Sequence, residues 1–181
     1  MARYLLLPLG ALALASCGGE PADPPSVEQV AEAADNLVKP TPGLYRSTAR
    51  LTEFEVPGLP EAQVAQMREM MGASASQSNE TCLTPEQAEE GFRTMARQLG
   101  EGQQGVKCEF ARFDADGSTL DAALTCTGPG GVDVAMDMDG TIEPTRSDLT
   151  MTMTQKNAGL PGGGEIRLAM AVQSERIGDC P

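Results

Sequence analysis

Histidine and tryptophan are absent from this chain, and aromatic residues make up only 3% of it. Without His the chain lacks the side chain that titrates nearest neutral pH and the commonest nitrogen ligand for metals. The usual hydrolase triads and most zinc sites are thereby excluded, and no G-x-S-x-G surrounds its serines. Basic residues are also few, 13 against 26 acidic, for a formal net charge of −13. Such a chain repels phosphate backbones and anionic lipid surfaces, which argues against nucleic acid as a partner. No C-x-x-C accompanies the five cysteines, so a thiolate metal or redox centre has no support. With so few rings, bulk in the core must come from Leu, Val, Ile and ten Met.

A long apolar run is missing too. Tyr4–Ser16 spans 13 residues, roughly 20 Å as a helix against the ~30 Å of a bilayer core, and it contains Pro8 and Gly10. It reads instead as a secretory h-region behind the positive Arg3 and N-terminus. Leu14-Ala15-Ser16-Cys17 closes it as a lipobox. Residues 1–16 are therefore expected to leave as a signal peptide. Cys17 becomes the acylated first residue of a lipoprotein, because several acyl chains hold where one binds only marginally. Gly18, rather than Asp, after the cysteine points to the outer membrane, with the domain facing the periplasm. An ordinary signal peptide would instead leave a soluble periplasmic or secreted protein. Gly18–Pro25 is polar and Pro-rich, a tether of roughly 25 Å if extended.

Setting Cys17 aside leaves Cys82, Cys108, Cys126 and Cys180, an even number in an exported chain, and hence two disulfides. Four cysteines allow three pairings. Cys108 and Cys126 flank a predicted hairpin, so we assign Cys108–Cys126 and Cys82–Cys180. The second would pin the C-terminus.

Residues 17–38 are expected to be lipidated N-terminus, tether and a short helix capped by Ser26, with Val30, Ala31, Ala34 and Leu37 on one stripe. Residues 39–181 form the domain proper. Leu44–Val56 reads as a strand whose apolar parity changes near Glu53, as a bulge would make it do. Glu61–Met71 is a helix with Val64, Met67, Met70 and Met71 aligned, and Gly72–Glu80 is expected to be a mobile loop. Thr84-Pro85-Glu86-Gln87 is a capping box with Pro at the first helical position. It opens a helix buried through Ala88, Phe92, Met95 and Leu99 and ended by Gly100. From Val106 the period changes to 2. Turns fall at Asp116-Gly117, Gly128–Gly131, Asp139-Gly140 and Pro161–Gly164. Val132, Val134, Met136 and Met138 face inward and Asp133, Asp137 and Asp139 outward, and Leu149, Met151 and Met153 then face in against outward threonines. The fold class is α+β: an antiparallel meander of about six strands, flat or curved into a half-barrel, with two or three short helices.

Lys39-Pro40, Pro42-Gly43-Leu44-Tyr45, Cys82-Leu83-Thr84-Pro85-Glu86, Cys108, Cys126-Thr127-Gly128, the Thr-Met-Thr-Met strand 150–153 and Gly178-Asp179-Cys180 together resemble domain-of-unknown-function family 3617. Its members are small exported proteins of Gram-negative bacteria. Tyr45 stands where Trp is expected, and Thr41 is inserted in the usual Lys-Pro-Gly. The resemblance implies an exported, disulfide-stapled domain and brings no catalytic residues with it.

Asp114-x-Asp116-Gly117 and Asp137-x-Asp139-Gly140 contain fragments of a calcium loop. Neither supplies the remaining ligands, and Asp-Gly is also an ordinary hairpin turn. Met136, Met138, Met151, Met153 and Met170 could invite Cu(I), but their period of 2 on one face suits a core or an adaptable apolar pocket better. The sequence points to no enzyme and no cofactor. We expect a non-catalytic envelope lipoprotein whose Met-lined face holds an apolar ligand or an envelope protein, with the 57–80 segment as its lid. The alternative is a Ca- or Cu-binding envelope protein.

Overall fold

A computed structural model describes residues 23–76, 78–101, 105–157 and 164–181. The expected signal peptide, Cys17, the first part of the expected tether and most of the expected Pro161–Gly164 turn lie outside these residues. The elements are helices α1 (Val27–Ala33), α2 (Glu61–Ala75), α3 (Pro85–Glu90) and α4 (Arg93–Glu101), and a 3-10 turn at Ala34–Asn36. The strands are β1 (Gly43–Glu55), β2 (Ser78–Leu83), β3 (Lys107–Asp116), β4 (Thr119–Gly128), β5 (Val132–Glu143), β6 (Arg146–Asn157) and β7 (Glu165–Gly178).

All seven strands lie in one antiparallel sheet, in the order β2-β1-β7-β6-β5-β4-β3. β3 to β7 are the expected meander. β1 joins it on the far side of β7, and β2 is added outside β1. The sheet is open, with β2 and β3 as its edges.

The α+β class is as expected, but there are seven strands rather than about six, and four short helices. The extra strand is β2, which occupies the end of the expected Gly72–Glu80 loop, while α2 runs on to Ala75 and takes its start. β2 (SNETCL) has no apolar alternation, because Ser78–Thr81 are exposed and only one neighbour pairs with it. Its register is fixed by backbone bonds to β1, by Arg46 directly opposite Glu80 with their side chains paired at 2.9 Å, and by the Cys82–Cys180 disulfide. A polar, charged edge of this kind also resists pairing with a second chain.

The expected 84–99 helix is two. Gly91, at φ +54°, ends α3, and Phe92 then starts α4 by accepting from the Ala96 N–H at 2.9 Å. The restart shifts the buried face, so Ala96 is buried and Met95 is 37% exposed. Gly100 lies inside α4 and does not end it. A Cβ there would overlap the Val27 side chain, so this glycine lets α4 close against α1. The predicted cap at Thr84 is present: its hydroxyl accepts from Gln87 N, and the Gln87 amide oxygen accepts from Thr84 N at 3.0 Å. Ser26 caps α1 through the same reciprocal pair with Gln29.

Asp139-Gly140 is not a turn. Both residues sit inside β5, which turns only at Pro144-Thr145. A Cβ on Gly140 (φ +155°) would run into the Asp148 carbonyl oxygen and meet Leu149 Cα at 2.8 Å. Gly is needed there for close strand approach, not for chain reversal.

Besides a register shift between Leu44 and Tyr45, two bulges set the facing of side chains. One lies between Leu51 and Glu53, where the sequence parity changed. The other lies between Phe110 and Arg112 and brings Phe113 onto the face of Phe110, their rings edge to face at 5.9 Å. α1, α4 and the 3-10 turn cover this face over β3, β4 and part of β5, burying Val30, Leu37, Ala96, Phe110, Leu120, Leu124 and Ile142. α2 packs along β1 in the stretch that β2 leaves unpaired, and Arg68 donates to the Phe54 carbonyl at 2.7 Å.

Candidate functional site

Register decides which side chains share a face, and it brings the five candidate methionines together. Leu51, Met170, Met151, Met138 and Ala122 form one transverse row across β1, β7, β6, β5 and β4. Phe54, Leu168, Met153, Met136 and Leu124 form the next. Met138 is buried at 7% exposure beneath the helices. Met136, Met151, Met153 and Met170 are half-buried. Between the helices and the sheet the core is filled, leaving a gap of about 20 Å³ lined only by apolar side chains, on the scale of one water. The helices therefore consume the β3–β5 part of the face, while its β6–β7–β1 part keeps partly exposed Met, Leu and Val.

On the opposite face Thr150, Asp133, Asp137 and Asp139 point outward, as their parity predicts. Arg112 stands among them, bonded to Asp121 at 2.6 Å and within 3.6 Å of Asp137, and the Asp121 bond raises its pKa. Asp116-Gly117 is the β3–β4 turn, with Gly117 at φ +57°. Among the described residues no group of three or more Cys, Asp or Glu is placed to hold a metal ion. Both disulfides form in the assigned pairing. Cys108 and Cys126 are direct cross-strand partners, and Cys82–Cys180 ties β2 to the segment after β7 with Cα atoms 5.5 Å apart.

The part of the face that sequence reasoning missed lies beyond the methionines. Ser47, Ser174 and Ser147 form a row in register across β1, β7 and β6, with Ile142 on β5 next in line. Ser47 and Ser174 share a hydrogen bond of 2.9 Å. A cleft of about 320 Å³ opens over this row, between the sheet and Phe92, with Tyr45, Thr81 and Leu83 on one side and Glu143 and Arg146 on the other. The Tyr45 hydroxyl lies 2.8 Å from the Thr41 carbonyl and 3.0 Å from that of Pro144, and it donates to one of them at a time. Burial holds its pKa above the ordinary phenol value, against the opposing pull of Arg176 and the Thr41 bond. Arg146 is committed to Asp148 through two bonds, 2.6 and 2.9 Å, which hold the Asp148 carboxyl below its ordinary value, and Gln173 adds a bond at 2.7 Å. The signal for this row was present: the alternation Met170, Val172 continues into Ser174, and Met151, Leu149 runs back into Ser147. Only the change to polar residues hid it.

Comparison with known proteins finds a family model described as a protein of unknown function (DUF3617), matching residues 40–180. The chain belongs to that family. No curated protein and no solved structure matches it.

Proposed function

We propose that this DUF3617 chain is a non-catalytic envelope lipoprotein, anchored through Cys17 and facing the periplasm, that holds an apolar ligand against its Met-lined sheet face. The observation that carries the reading is the pair of register-matched apolar rows, which run past α1 and α4 onto β6 and β7 and stay partly exposed there through Met151, Met153, Leu168 and Met170, although Phe54 at the β1 end is buried. Met suits such a surface because its unbranched, polarisable side chain repacks around ligands of varied shape. The anchor rests on Leu14-Ala15-Ser16-Cys17 and on cysteine arithmetic: four of the five cysteines are paired with one another, which leaves Cys17 over. The Pro-rich tether then sets the domain off the membrane surface, as a carrier or receiver of envelope lipid requires.

The test is native mass spectrometry of full-length protein extracted from membranes, together with binding of an apolar fluorescent probe. A co-purifying lipid and probe binding that Met151→Lys weakens would support the reading. Protein free of lipid that also ignores the probe would refute it, and a captured envelope protein seated on the same face would reassign the surface. Cys17→Ser should release a folded, disulfide-bonded domain into the soluble fraction. A scrambled or misfolded product would place Cys17 in the covalent framework instead.

A further inference from the structure

The apolar rows and the cleft belong to one surface. Along β6 the inward side chains run Met153, Met151, Leu149, Ser147, and along β7 they run Leu168, Met170, Val172, Ser174. Each step of two residues is roughly 6.8 Å in a strand, so the polarity changes once over a stretch of sheet face roughly 20 Å long. A surface with an apolar length and one hydroxyl-lined end is complementary to an amphiphile, not to a wholly apolar molecule.

Charge selects the head. Among the residues that line the cleft the cation is Arg146, and its guanidinium is already bonded twice to Asp148. Glu143 also lines the cleft, directly opposite Arg146 in the β5–β6 register. An incoming phosphate or carboxylate would find no free cation among the described lining residues and would sit against Glu143, inside a chain of net charge −13. A neutral group meets no such opposition. Each serine hydroxyl carries one donor and two acceptor positions, so the bonded Ser47–Ser174 pair still has capacity for a ligand, and so has Ser147.

We propose that the cleft over Ser47, Ser147 and Ser174 is the head-group site for a neutral, hydroxyl- or ester-bearing amphiphile with a single acyl chain lying along the Met rows. This rests on the reading of the Met face given above and names the ligand class for it. Phe92 closes the cleft from above and also packs at the covered edge of the apolar face, so the head end of this surface is walled.

The test is displacement of a fluorescent acyl probe from the purified full-length chain by 1-monooleoylglycerol and by oleate, which share one chain and differ in head charge. Monooleoylglycerol should displace the probe at about tenfold lower concentration, the worth of one or two satisfied hydrogen bonds. Ser47→Ala with Ser174→Ala should bring that ratio close to one and leave oleate unchanged. Ser147→Ala, tested alone, should move it in the same direction if the double variant fails to fold. Met151→Gln should weaken both competitors alike. Equal or tighter binding of oleate, or a ratio that survives the serine variants, overturns the head-group assignment and leaves the apolar face standing. A chain that binds neither probe nor competitor overturns both.

Discussion

Removing the Cys82–Cys180 disulfide separates the contribution of the staple from that of the sheet. Its partners are 98 residues apart, against 18 for Cys108–Cys126. In the chain-entropy model those loops correspond to about 4.7 and 3.2 kcal/mol of unfolded-state restriction, and the larger falls to about 4.5 if the inner loop stays closed. Folded domains are stable by only about 5–15 kcal/mol, so Cys82→Ser with Cys180→Ser should remove a large share of the total. A second effect acts on the native state. β2 pairs with β1 alone, its first four side chains are exposed, and its cross-strand ion pair Arg46–Glu80 is about half-exposed on both sides. Surface pairs of that kind contribute at most about 1 kcal/mol. Without the staple, β2 should open in a local unfolding step well below global unfolding and take Thr81 and Leu83 away from the cleft. Urea unfolding of the oxidised protein and of each double variant gives the global term, and native-state hydrogen exchange gives the local one. We expect the Cys82–Cys180 pair to cost more, and β2 amides to lose protection while those of β5 and β6 keep it. The reasoning fails if the Cys108–Cys126 pair costs more, or if β2 amides stay as protected as those of β6.

Gly140→Ala should destabilise by about 2 to 4 kcal/mol, because strand backbone rather than a flexible side chain stands where the new methyl would go. Thermal melts should show this with the disulfides intact. Tyr45→Phe removes a hydroxyl that donates to backbone carbonyl, at a cost of about 1 kcal/mol. It should also flatten the alkaline limb of the stability curve. Because the folded pKa of Tyr45 is raised, its contribution is full below the unfolded value near ~10 and is lost as pH rises through the folded value. Asp148 has the opposite sign. Its folded pKa is lowered by Arg146, so its contribution is present above the unfolded value and lost as pH falls through the folded one. In Arg146→Gln, carboxyl carbon shifts should show Asp148 titrating at a higher pH than in the parent. An unchanged titration would mean that the bidentate pair does not persist in solution.

What the sequence disclosed about the fold, and what it hid, divide by the kind of force involved. Elements whose side chains alternate against a core were legible: β3 to β7 by period 2, the β1 bulge by its parity change, and α3 by a capping box that the backbone obeys. Elements held by backbone pairing or covalent bonds were not. β2 has one neighbour and no buried face, so nothing in its side chains marks it as a strand. Gly140 and Gly100 were misread for a related reason. A glycine that permits reversal and one that permits close approach look alike in a sequence, and only the neighbouring chain, Asp148 in one case and Val27 in the other, tells them apart.

The candidate site divides in the same way, and the division bears on what the protein holds. The methionines could be picked out because apolar alternation selects them, yet alternation alone could not separate those that fill the core from those that remain available. Helix placement does that, burying Met138 and leaving Met151, Met153 and Met170 only partly buried. The serines escape a search for apolar alternation, which ends where they begin. Ser47, Ser147 and Ser174 are separated by up to 127 residues and become neighbours only through the β1–β7 and β6–β7 registers. A core would have no reason to continue its inward rows into hydroxyls at one end. Inward-facing polar groups must be hydrogen-bonded or reach solvent, and here Ser47 and Ser174 bond to each other and all three serines line an open cleft large enough for a small head group. The row that breaks the apolar pattern is therefore the part of the face least explained by folding, and the part on which a ligand's chemistry can be read.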